Sequence, residues 1–140
     1  MTMTKTLKIL LVEDSKFLRI ATERALARAG YEMTSAVDGN EALRLAREKL
    51  PDLILLDMLL PKMSGLDVLK ALKQDPLTKA IPVIVMTGMS QKNAARLQQD
   101  GAMGFLEKTT LELDKGAEKL LAALDGIFKA NPPKSTGTTA

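Results

Sequence analysis

The segment Pro51-Asp-Leu-Ile-Leu-Leu-Asp57 decides how this chain folds. Behind the proline, the strand expected over residues 52–56 is apolar from Leu53 onward and stops on a carboxylate, Asp57. A strand with apolar side chains on both faces belongs inside a sheet that is covered on both sides, which is the habit of parallel sheets. Outward from it lie two runs of the same kind. Residues 7–12 form one, ended by Glu13-Asp14-Ser15. Residues 81–86 form the other, ended by Thr87-Gly88, with Pro82 at the strand start where proline is tolerated. Residues 31–37 are a weaker strand candidate, and residues 102–106 are a fifth that runs out to Lys108.

Helical patterns fill the intervals. After Ser15, Leu18, Ala21, Ala25 and Ala29 fall on one face, and Gly30 marks the stop. Asp38-Gly-Asn-Glu41 reads as a capping box, opening a helix whose inner face is Ala42, Leu45, Ala46 and Lys49/Leu50. Ser64 is placed to cap a helix that buries Val68, Leu69 and Leu72, with Pro76 beyond its end. Ser90 is placed to cap a short polar helix expected to run to Asp100, followed by Gly101. A last helix carries Leu113, Ala117, Leu120, Leu121, Leu124 and Phe128. Apolar strands alternating with amphipathic helices predict an α/β fold: an open, doubly wound, five-stranded parallel sheet with helices on both faces. The ordered domain is expected over residues 1–129. Residues 130–140, with Pro-Pro, Lys, Ser, Thr and Gly and nothing apolar to anchor them, are expected to form a disordered tail.

Composition narrows the functional classes. A chain of 140 residues, 46% hydrophobic and 26% charged, suits one soluble domain. With no cysteine and no histidine, disulfides, thiolate or imidazole metal sites, and cysteine or histidine catalysis on this chain are excluded. The net charge of +3 is scattered, so no nucleic-acid surface is expected. No long apolar segment follows the polar start, so neither membrane spanning nor secretion is expected, and the cytoplasm is the expected location.

The chemistry gathers at strand ends. In an open parallel sheet, ligands bind outside the carboxyl ends of the strands, beside the topological switch point. There this chain offers Glu13, Asp14, Asp57, Thr87 and Lys108. Singly, each has a plain reading as a cap, a turn or a solvated charge; jointly, they describe one site. Two carboxylates ~4 Å apart repel by about 4 kcal/mol at an effective dielectric near ~20, so a hard divalent cation such as Mg²⁺ is expected among them. Asp57 can then act as a carboxylate nucleophile toward phosphorus, with Thr87 and Lys108 holding the remaining oxygens.

Val12-Glu-Asp-Ser15, Leu55-Leu-Asp-Met-Leu-Leu-Pro-Lys-Met-Ser-Gly65, Val85-Met-Thr-Gly88 and Phe105-Leu-Glu-Lys108 together resemble the receiver domain of two-component response regulators. The resemblance implies the flavodoxin-like strand order 2-1-3-4-5. It implies Asp57 as phosphoacceptor, and Mg²⁺ held by Glu13, Asp14, Asp57 and the Leu59 carbonyl. It further implies a histidine kinase or histidine phosphotransfer protein as donor, and a switch through Thr87 and Phe105. Phosphorylation would reshape the face made by the 90–100 helix, the fifth strand and the last helix, and a downstream protein would read it. A stand-alone switch is the leading reading. A phosphorelay intermediate or phosphate sink is the alternative, and both would transfer the group without being enzymes in the usual sense. An aspartate-nucleophile phosphatase would want a second Asp where Leu59 stands. A flavin carrier would want a phosphate-cradling loop where Glu13-Asp14 stands. The chain departs from the family pattern in three places, one of them the slightly long segment 109–115 before the last helix. Thr109 follows Lys108 where a proline after a cis bond is usual; the cost of a non-proline cis bond, ~2.5–4 kcal/mol, predicts trans here. Phe105 has no hydroxyl, so it is either a switch acting by packing alone or a core aromatic.

Overall fold

The computed structural model describes residues 6–87, 98–107 and 116–130. Five parallel strands, β1 (Lys8–Val12), β2 (Glu32–Ala36), β3 (Leu53–Asp57), β4 (Val83–Thr87) and β5 (Gly104–Glu107), form one sheet in the order β2-β1-β3-β4-β5. The helices are α1 (Lys16–Arg28), α2 (Gly39–Lys49), α3 (Gly65–Gln74) and α4 (Gly116–Ala130). The predicted fold class and strand order are therefore those of the structure.

The three apolar runs become the centre of the sheet. All five residues of β3 are buried, and in β1 only Lys8 is exposed. Alternate residues feed two cores. Leu10, Val12, Ile54, Leu56, Val83 and Val85 pack with α2 and α3 on one face. Ile9, Leu11, Leu53, Leu55, Ile84 and Met86 pack with Leu26 of α1 and with Leu120 and Leu124 of α4 on the other. β2 is an edge strand with only Ala36 buried, which is why its apolar pattern is the weaker one.

The caps follow the chemistry of the sequence. Ser15, Asp38 and Ser64 accept from the backbone N–H of Leu18, Glu41 and Asp67. The Asp38 box differs in one detail: the Glu41 carboxylate reaches back to the N–H of Val37, at 3.1 Å, one residue before the cap. Two inner faces also differ from expectation. In α1 the buried residue is Leu26, while Ala29 is the exposed C-cap, because the helix ends one residue before it. In α2 the chain turns left-handed at Leu50, φ 45°, which throws that side chain outward to 52% exposure. Ala130, the first residue of the expected disordered tail, is instead the last residue of α4. The rest of that tail, 131–140, lies outside the described residues, as do most of the helix expected over 90–100, Leu113 and the Lys108–Thr109 bond.

The end of α3 supplies a first stability test. Pro76 has no N–H to continue the helical ladder onto the Leu72 carbonyl. Thr78, fully buried, donates its hydroxyl to that carbonyl at 2.7 Å. Thr78→Val keeps the shape and removes the donor, so urea unfolding is expected to show a loss of about 1–2 kcal/mol. An unchanged midpoint would mean that the carbonyl is satisfied without the hydroxyl. Beside it, Lys73 donates to the carbonyls of Ile81 at 2.7 Å and Lys79 at 3.2 Å, and partial burial holds its ammonium below the usual lysine range.

Candidate functional site

Strand pairing builds the site. Val12 lies opposite Leu56 in the β1–β3 ladder, so the residues that follow them, Glu13 and Asp57, emerge side by side although they are far apart in the chain. Glu13 extends β1 by one rung: its N–H donates to Ala36 at 3.0 Å. Its carboxylate accepts from the N–H of Ser15 at 3.1 Å. Asp57 ends β3 opposite Met86, and its carboxylate accepts from the N–H of Leu59 at 3.0 Å. Glu13 is 2% exposed and Asp57 1%, whereas Asp14 faces solvent. One oxygen from each of the three carboxylates lies within 4.8 Å of the others. An all-oxygen donor set, open on the Asp14 side, fits a hard divalent cation, and the absence of cysteine and histidine leaves no softer ligand.

The remaining expected residues fall as follows. Thr87 ends β4, one residue beyond the Met86 that pairs with Asp57, and pairs with Glu107. Leu59 stands two residues past Asp57 with its side chain 65% exposed. Phe105 lies on β5 opposite Val85, partly buried against the core on the α2–α3 side. Lys108 lies outside the described residues, directly after β5.

Two residues shape the site in ways that sequence reasoning did not assign. Gly65, the first residue of α3, donates its N–H to the Met58 carbonyl at 3.1 Å, folding the 58–64 loop back onto the end of β3. A Cβ there would sit 2.5 Å from the Asp57 carbonyl oxygen and 2.6 Å from Met58 Cα, so only glycine allows this approach. Arg19 curls from α1 so that Nη1 lies 3.3 Å from the Glu13 carbonyl and 3.5 Å from that of Asp14. Its sequence signal was an arginine one helical turn past the Ser15 cap, which on its own reads as a surface charge.

An open parallel sheet of this order, with three carboxylates grouped at the carboxyl ends of β1 and β3, defines a class of small acidic-pocket α/β domains. Residues 9–121 match the family model described as response regulator receiver domain, and the chain belongs to that family. Among similar proteins is the polar-differentiation response regulator DivK of Brucella ovis, 40% identical over 107 residues, or 76% of this chain and 85% of that protein. Among solved structures, the chemotaxis response regulator CheY4 of Vibrio cholerae superposes with a TM-score of 0.79 at 31% identity, covering 88% of this chain and 99% of that one. The signal receiver domain of a signal transduction histidine kinase from Syntrophus aciditrophicus gives 0.78 at 29% identity, covering 96% and 99%. Receiver domains of two-component systems take phosphoryl groups from histidine kinases. No helix among the described residues is long and apolar enough to cross a membrane.

Proposed function

We propose that this receiver, read as residues 1–129, accepts a phosphoryl group on Asp57 from a phosphohistidine of a kinase or phosphotransfer protein, with Mg²⁺ bound. The observation that carries the reading is the meeting of three carboxylate oxygens within 4.8 Å around an Asp57 that is 1% exposed. A carboxylate oxygen of Asp57 forms a bond to phosphorus as the phosphorus–nitrogen bond of the donor breaks, its electron pair returning to the imidazole. Glu13, Asp14, Asp57 and the Leu59 carbonyl would hold Mg²⁺, which when bound offsets negative charge on the carboxylates and the phosphoryl oxygens. Thr87 and Lys108 would take the phosphoryl oxygens that remain. The Leu59 N–H fixes the rotamer of the nucleophile, and burial keeps competing water away from it. The output would run through Thr87 and Phe105 to the face of the 90–100 helix, β5 and α4, where a partner protein reads it. Incubation with a small phosphodonor and Mg²⁺ tests the assignment: a mass gain of one phosphoryl group is expected, and none would refute it.

The same site makes a prediction about lifetime. Hydrolysis of an aspartyl phosphate needs a water aligned opposite the leaving carboxylate. Leu59, two residues past the acceptor and well exposed, cannot orient that water by a hydrogen bond. Met89, two past Thr87, has no better group for the purpose. Phospho-Asp57 is therefore expected to persist, and Leu59→Asn or Met89→Glu to speed its decay by up to ~10²-fold. If decay with Mg²⁺ is the same in both variants as in the wild type, the rim does not set the lifetime.

A further inference from the structure

The acidic pair Glu13-Asp14 sits on a turn between a strand and a helix, where peptide planes rotate readily unless something ties them. Rotation of either plane swings a carboxylate away from Asp57. Arg19 ties three successive residues at once. Its N–H donates to the Ser15 carbonyl at 2.8 Å as the first rung of α1, and its guanidinium reaches back to the carbonyls of Glu13 and Asp14. Ser15 completes the knot, donating its N–H to the Glu13 carboxylate at 3.1 Å and capping the N–H of Leu18 at 3.4 Å. Both contacts come from one nitrogen, Nη1, whose two N–H bonds are fixed in the guanidinium plane, so one can be aimed at each carbonyl in a way that a freely rotating ammonium is not. We propose that Arg19 is a positioning residue that holds the β1–α1 turn so that Glu13 and Asp14 keep their ligand spacing to Asp57 before a cation arrives. This inference rests on the divalent-cation reading of the acidic cluster.

Two physical effects of Arg19 on a bound cation have opposite signs, and that makes the proposal decidable. Its positive charge repels a divalent cation, so charge alone predicts tighter binding when the arginine is removed. Its hold on the turn favours binding, so positioning predicts weaker binding. Calorimetric titration of Mg²⁺ into the full chain compares wild type with Arg19→Met, which removes charge and donors, and Arg19→Lys, which keeps the charge but loses the planar N–H pair of Nη1. Arg19→Met is expected to bind about 10-fold more weakly, with Arg19→Lys in between. Binding by Arg19→Met as tight as wild type or tighter overturns the proposal, as does wild-type affinity in Arg19→Lys. Amide exchange without metal gives an independent reading. The N–H groups of Glu13 and Ser15 are expected to exchange faster in Arg19→Met while the global unfolding midpoint stays put, and unchanged exchange at both overturns the proposal. A wild-type chain that binds no Mg²⁺ would refute the cation reading itself, and the exchange measurement would still judge the hold of Arg19 on the turn.

Discussion

An Asp57→Asn chain is expected to fold as the wild type does and to gain no phosphoryl mass from a donor that modifies the wild type. The amide has the size of the carboxylate and keeps an oxygen to accept the Leu59 N–H, held at 3.0 Å in the native chain. The fold therefore loses little. The proposed chemistry loses its nucleophile, because an amide oxygen is uncharged and weakly basic, and a fall in rate of at least ~10³-fold is expected. Of the described carboxylates beside it, Glu13 spends an oxygen on the Ser15 N–H and Asp14 faces solvent, so neither is expected to replace it. Intact-protein mass spectrometry after exposure to Mg²⁺ and the phosphodonor checks this, with circular dichroism to confirm the fold. Wild-type modification of the variant would move the acceptor elsewhere and remove the basis of the functional assignment.

The largest effect on stability is expected at Gly65. A methyl group there meets the Asp57 carbonyl oxygen at 2.5 Å, Met58 Cα at 2.6 Å and the Met58 carbonyl carbon at 3.1 Å. All three are backbone atoms at the end of a fully buried strand, so none can turn aside as a long side chain would. Gly65→Ala must push the start of α3 away from β3 and strain the bond from Gly65 N–H to the Met58 carbonyl. A loss of about 3 kcal/mol or more is expected in urea unfolding, the range of an overpacked core. Phosphorylation should slow in the fraction that remains folded, since the strained peptide belongs to Asp57, the proposed acceptor. Gly126 in α4 is the control: a Cβ there meets nothing within 4 Å, so Gly126→Ala is expected to stabilise the chain by about 0.5–1 kcal/mol. A Gly65→Ala chain within ~0.5 kcal/mol of wild type would mean that the loop has another route past β3.

Where sequence reading and structure diverge, the divergence has a pattern. The central strands were legible because burial on both faces leaves no polar alternation to confuse with a helix or an exposed strand. The caps at Ser15, Asp38 and Ser64 were legible because capping is a local bond between a side chain and an N–H two or three residues on. The inner faces of α1 and α2 were read less well. Periodicity alone cannot separate Leu26 from Ala29, and it carried Leu50 inward where the backbone turns left-handed and puts it into solvent. Helix ends are settled by how the chain leaves the helix, which a periodic pattern does not encode.

The candidate site divides in the same way. By itself the sequence determined the residue types at the strand ends, and with them an all-oxygen, cysteine- and histidine-free chemistry built around Asp57. Only the tertiary structure decided that β1 lies against β3, and so that Glu13 and Asp57 share a pocket with Asp14 on its rim. It also decided what holds that pocket in shape. Gly65 presses against the Asp57–Met58 peptide, and Arg19 reaches the carbonyls of the acidic pair. Neither has a distinctive local signature, because a close approach and a carbonyl contact are properties of two segments brought together. The reason is physical: composition and periodicity report what each segment prefers, whereas distances between segments exist only once the sheet has closed around its core.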